Sequence, residues 1–190
     1  MKSRNIIVVA LLFVVLVGCE REEEGVVRQS GQSARDRLVA KIAEKMGVDA
    51  PGGQNGTDLR RFVEEQVANP RLGVLLSLED FFEGNEDEGS IGCNLVPYPG
   101  LDQFYSVLKS IRAREDVQDV LVEINCIDDE FSWPFSESIW ILSKASEAEV
   151  MEWMKPLQPD EIWQGWGEAG KPGAGPDPGE GVSVYGLWWD

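Results

Sequence analysis

An α+β fold of the ferredoxin-like βαββαβ kind is predicted by three observations beyond Pro70. Residues Gln118–Ile127 alternate, with Val120, Val122, Ile124 and Cys126 on one face and Asp119, Glu123 and Asn125 on the other. That is the pattern of a strand covered on one side and wetter on the other. Residues Leu101–Ala113 set Leu101, Phe104, Tyr105, Leu108 and Ile111 at helical spacing. Ser146-Glu147-Ala148-Glu149 is a capping box, in which the serine and glutamate side chains satisfy the open backbone donors of a helix start.

Taken in order, Leu72–Leu78 suits a short strand with Val74, Leu76 and Leu78 on one side. The helix over 101–113 and the alternating strand follow. Ser138–Ser143 is apolar and partly β-branched, hence a strand. The capped helix then carries Val150, Met151, Trp153 and Met154 before Pro156. Past a Gly/Pro-rich loop, Gly165–Gly181, a final strand runs from Val182 to Trp189. Strand, helix, strand, strand, helix, strand is the split β-α-β order, an antiparallel sheet with two helices on one face. Trp140 and Leu142 alternate with Ile139 and Ile141, and Tyr185 and Trp189 with Val184 and Trp188. One member of each set must face away from the covering helices, as a partner surface or under further chain.

Two amphipathic helices precede this domain. Leu38, Ile42 and Met46 recur every four residues between Ala34 and Met46, and the run Pro51–Gly56 breaks the pattern. A second helix starts at a Thr57 N-cap and passes Leu59, Phe62, Val63 and Val67 before Asn69 and Pro70. The chain thus divides into a helical segment, 34–70, that could cover the far side of the sheet, and an α+β domain, 71–190.

The N-terminus has a different character. Ile6–Val17 is unbroken apolar sequence behind Lys2 and Arg4, and Leu16-Val17-Gly18-Cys19 matches the lipobox of bacterial lipoproteins. The run is shorter than the roughly 20 residues a membrane-spanning helix needs. Residues 1–18 are expected to be a signal peptide, Cys19 the lipidated first residue of the mature chain, and 19–33 a flexible tether. Acyl chains on Cys19 would then hold the protein at a membrane. The expected location is the cell envelope. In a source with two membranes, Glu20 after Cys19 favours the outer one, facing the periplasm.

Charge and composition narrow the function. Of 190 residues, 34 are acidic and 17 basic, for a net charge of −17. Such a chain is repelled by phosphate backbones, which excludes nucleic acid as the expected partner, and it attracts a basic protein. There is no histidine, which excludes Ser-His-Asp and Cys-His nucleophile systems and histidine-containing zinc sites within the chain. Cys93 and Cys126 remain after Cys19. An exported setting permits a disulfide between them, and sequence leaves open a bridge or two thiols.

The densest acidic stretch is Glu79-Asp80-Phe81-Phe82-Glu83-Gly84-Asn85-Glu86-Asp87-Glu88-Gly89. Counted from Asn85, a calcium loop would need glycine at the sixth position and an acid at the twelfth; the chain has Ser90 and Val96. No metal or cofactor is expected. The stretch is a solvated loop or a protein-docking surface. On the second reading Glu79, Asp80, Glu83, Glu86, Asp87 and Glu88 rim the contact, with Phe81 and Phe82 as anchors or, more simply, as core. Ser106-Val107-Leu108-Lys109 fits a Ser-x-x-Lys pattern, but the companion motifs of penicillin-recognising enzymes are missing. No carboxylate pair stands in an evidently apolar setting, so no enzymatic activity is expected.

With these residues in view, Leu76-Ser77-Leu78-Glu79-Asp80-Phe81-Phe82-Glu83-Gly84-Asn85, Ser90–Leu95, Pro156–Glu161 and the terminal Trp188-Trp189-Asp190 together resemble a family of small acidic bacterial proteins of unassigned activity. The likeness spans Gly73–Asp190 and supplies no catalytic residues. Cys126 is not among the matching residues, which weighs against the disulfide. By general character such proteins are similar to immunity proteins, which neutralise a toxin by binding it. The expected function is therefore a non-catalytic envelope lipoprotein that binds a basic protein or toxin. The alternative is a structural or small-ligand-binding envelope lipoprotein.

Overall fold

The computed structural model describes residues 34–47, 73–127, 131–168, 170–172 and 175–189. The signal peptide, Cys19, the tether and the helix expected over 57–69 lie outside the described residues. Helix α1 covers 34–45. Strand β1 (Val74–Ser77) leads into the short helix α2 (Leu78–Phe82), and α3 (Leu101–Arg112) precedes β2 (Val117–Ile124). Then come β3 (Ser138–Ser143), α4 (Glu147–Met154), β4 (Glu161–Gln164) and β5 (Ser183–Trp188). Among the described residues, no helix is long and apolar enough to cross a membrane.

The α+β class is as the sequence predicts: one five-stranded antiparallel sheet, ordered β1-β2-β3-β5-β4, with helices beside it. The strand order departs from the ferredoxin-like one in its first half. There β1 and β2 are antiparallel neighbours, Val74 opposite Ile124 and Ser77 opposite Leu121. A single helix between two strands would return the second strand parallel to the first. Here residues 83–100 add a leg that runs back to the sheet end from which β1 set out, where Ser136 N donates to Ser90 O at 2.8 Å. With that leg, α3 runs the way β1 does, and β2 comes back antiparallel.

The second half does contain a split β-α-β unit. Both β3 and β4 are antiparallel to β5, hence parallel to each other, with β5 inserted between them and α4 in the connection. Strand β4 was not expected: four residues, Glu-Ile-Trp-Gln, with exposed ends, give too little alternation to register. The capping box is present as read, Ser146 Oγ accepting from Glu149 N and the Glu149 carboxylate accepting from Ser146 N.

The two faces of the sheet have separate cores. On the first, Val120, Val122, Ile124, Ile139, Ile141 and Leu187 pack against Phe104, Leu108, Val150 and Met154 of α3 and α4. Helix α1 joins this same face through Leu38, Val39, Ile42 and Ala43, all buried. It does not cover the far side. There Leu75, Leu121, Trp140, Leu142 and Val184 are also buried, beneath the half-buried Trp163 and Trp166. The far end of the loop toward β5 reaches across to β2, where Gly179 N donates to Gln118 Oε1 (2.7 Å) and Gln118 Nε2 to Asp177 O (3.0 Å). Among the described residues, the aromatic strand face is thus covered by Trp163 of β4 and by the C-terminal loop, and it leaves no open partner surface.

Gly186 makes that closure possible. It stands opposite Trp163, whose ring lies so close that a Cβ on Gly186 would come within 2.4 Å of two ring atoms. Trp163 also meets the Trp140 ring edge-on at 5.6 Å. Gly186→Ala must therefore lift the Trp163 ring, at a cost of about 1–3 kcal/mol, the usual range for overpacking. A lowered Tm with red-shifted tryptophan emission is the expected result; unchanged emission would place Trp163 elsewhere.

Candidate functional site

The acidic stretch is ordered from inside, residue by residue. Ser77 Oγ accepts from Asp80 N at 3.1 Å and starts α2. This ties the strand to the helix and turns Phe81 and Phe82 inward: both are buried, in contact edge to face at 4.9 Å, with Phe82 stacked on Tyr105 at 5.1 Å. They cannot anchor a partner. As the two apolar side chains of the stretch, they are drawn into the core as α2 forms.

Past α2, the turn is pinned by Gly84, whose φ of 80° suits glycine and whose added Cβ would lie 2.7 Å from that of Ala34 on α1. Asn85 Oδ1 accepts from Asp87 N (3.0 Å) and Asn85 Nδ2 donates to Ser90 Oγ (2.9 Å). Asp87 accepts from Gly89 N at 2.9 Å and from Trp133 N at 3.1 Å, so its carboxylate clamps the loop to the chain before β3. Asp80 pairs with Lys41 of α1, and Glu79 forms a two-pronged pair with Arg112 of α3. Glu79, Asp80 and Asp87 therefore act chiefly within the fold. Glu83, Glu86 and Glu88 are exposed and make no ion pair among the described residues. The structure reduces the six expected rim carboxylates to these three projecting ones.

The electrostatics agree with that division. Hydrogen bonds from Arg112 hold the Glu79 carboxyl at about 2, well below the ordinary 4.5. Burial pushes the nearby Asp119 carboxyl up, against the pull of Arg112. A depressed carboxyl stabilises the fold above its unfolded pKa and loses that contribution as pH falls through the folded value. Wild-type protein should accordingly lose stability between about pH 4.5 and 2 more steeply than Arg112→Gln. The half-exposed pair limits the difference to about 1 kcal/mol or less. Denaturant midpoints across that window test this; parallel curves would show the pair idle. Asp119 works in the opposite sense, gaining stability on protonation, and softens the loss in both proteins.

Beside the loop, the Tyr98 hydroxyl is buried with no hydrogen-bond partner among the described residues, and burial with the charges of Glu88 and Asp87 pushes its pKa up to about 12. Cys93 lies in the exposed turn after Ile91, and Cys126 is held in a bridge to Phe135. The structure thus puts one cysteine of the candidate pair on an exposed turn and the other on a segment held by strand pairing. Ser106 lies exposed on α3 while the Lys109 ammonium sits over the Tyr105 ring at 4.8 Å, so these two form no reactive pair. Among the described residues, no group of three or more His, Cys, Asp or Glu side chains is placed to hold a metal ion.

A model of the family described as "Uncharacterized protein YfbO family" matches residues 34–187. The chain belongs to the YfbO family. A relative from Escherichia coli (strain K12), described as uncharacterized protein YfbO, is 45% identical over 117 residues, which cover 61% of this chain and 82% of the relative. No solved structure matches. The YfbO match begins at Ala34, so it takes in α1, whereas the resemblance read from sequence began only at Gly73. The fold gives the reason: the apolar side of α1 shares a core with the sheet.

Proposed function

We propose that this YfbO-family protein is a non-catalytic envelope lipoprotein, anchored by acyl chains on Cys19. Its α+β domain binds a basic protein, in the manner of an immunity protein that neutralises a toxin in the envelope. The observation that supports this reading is the loop 83–88, where Glu83, Glu86 and Glu88 project into water from a backbone fixed by Asn85 and Asp87. A preordered row of like charges steers an oppositely charged partner and loses little entropy on binding.

The test is capture from the protein's own envelope extract at low and high salt, with the full chain and with the triple variant Glu83→Gln, Glu86→Gln, Glu88→Gln. A partner held at low salt, released by high salt and bound at least ten-fold more weakly by the variant is the expected result. Equal retention by the two chains would end this assignment of the surface.

A further inference from the structure

The two cores of the sheet are roofed in different ways. Helices α1, α3 and α4 pack on the first face, and each buries a row of apolar side chains there. The floor of the far core is Leu75, Leu121, Trp140, Leu142 and Val184. Over it lie Trp163 of β4, Trp166, and a strap of loop, residues 171–172 and 175–181, that returns the chain to β5. Gly175 of the strap sits on Leu75, whose Cδ1 would be 3.4 Å from an added Cβ.

Most of the strap's polar bonds are spent within it. Gly175 N donates to Pro172 O at 2.8 Å, and the Lys171 ammonium pairs with the Asp177 carboxylate at 2.6 Å. Pro176 and Pro178 fix the backbone on either side of Asp177. Among the described residues, Gln118 alone ties the strap to the sheet by hydrogen bonds, accepting from Gly179 N and donating to Asp177 O. Gln118, Asp177 and Gly179 are all exposed, so water competes for both bonds. Gly170 and Gly181 flank the strap with φ of 76° and 72°, and an added Cβ at either would meet nothing within 4 Å. The chain can turn at both points without collision.

We infer that the strap is a lid, which swings on Gly170 and Gly181 while the first core stays folded, with Gln118 as its catch. A segment with few buried apolar contacts and exposed hydrogen bonds opens at lower free energy than the domain unfolds. Opening bares Leu75, Leu121 and Leu142, so the far face of the sheet becomes a surface the domain displays part of the time. The movement involves neither Cys19 nor the acidic loop.

The test is thiol labelling of the full chain under native conditions, in a Cys93→Ser background whose own labelling is subtracted. Leu75→Cys and Leu76→Cys put a thiol on neighbouring residues of β1, the one beneath the strap and the other in the first core. A small water-soluble thiol reagent should label position 75 at least ten-fold faster than 76. Adding Gln118→Ala should speed labelling at 75 at least five-fold further and leave 76 within two-fold. Leu142→Cys and Ile141→Cys repeat the comparison on the central strand β3, should circular dichroism show that either β1 variant does not fold. Equal rates on the two faces overturn the inference, because the far core then opens only as the whole domain unfolds. A far-face thiol that ignores Gln118→Ala overturns it as well, since the strap then has no catch there.

Discussion

Phe81→Ala should cost about 3–5 kcal/mol of stability, the range for emptying a buried phenylalanine site, while leaving partner affinity of the folded protein unchanged. Phe81 is fully buried, touches the Phe82 ring, and sits in the core shared by α3 and β2. Its removal leaves a cavity that Ser77-capped α2, only five residues long, has little freedom to close. The contrast with an interface role is sharp. An anchor residue would lower binding with little change in Tm, whereas a core residue lowers Tm and leaves binding alone. Thermal unfolding and titration against the captured partner, run on one variant, separate the two.

A second large effect is expected at Ile42→Ala: about 2–5 kcal/mol. Ile42 is fully buried on α1, with Val39 and Ala43 beside it, in the same cluster as the sheet's first face. If α1 were only a spacer between membrane and domain, the substitution would be worth the few tenths of a kcal/mol typical of a surface site. Denaturant unfolding of the full chain decides it. A single shifted transition supports α1 as part of the domain. A separate early transition, with the midpoint of the main one unchanged, would make it an appendage.

Much of the fold was legible because it depends on local pattern. The strand at Ser138–Ser143 and the helix at Leu101–Arg112 lie where an apolar, partly β-branched run and helical spacing put them, and the Ser146 box is an interaction over three residues. What escaped was set at long range. The sequence of α2 is mostly acid and aromatic, and its helicity depends on the Ser77 cap and on burying two phenylalanines against α3. Strand β4 exists because β5 gives it a partner and Gly186 leaves room for Trp163. The pairing of β2 directly with β1 departs from the ferredoxin-like order because a return leg of irregular chain leaves no periodic signal. In the candidate site, the excess of carboxylates was plain. Which of them are spoken for could not be read, since Arg112 lies 33 residues from Glu79 and Trp133 46 from Asp87.

The insertion of β5 between β3 and β4 also bears on assembly. Until the last strand arrives, β4 has no neighbour to pair with, and one edge of β3 stays open. Both cores are incomplete too, since Leu187 belongs to one and Val184 to the other. The domain cannot be built from its N-terminus forward as the chain emerges: its final strand is a wedge driven in between two earlier ones. A copy cut short before Val182 should therefore not persist as a smaller folded protein, and would instead expose two raw strand edges to its neighbours.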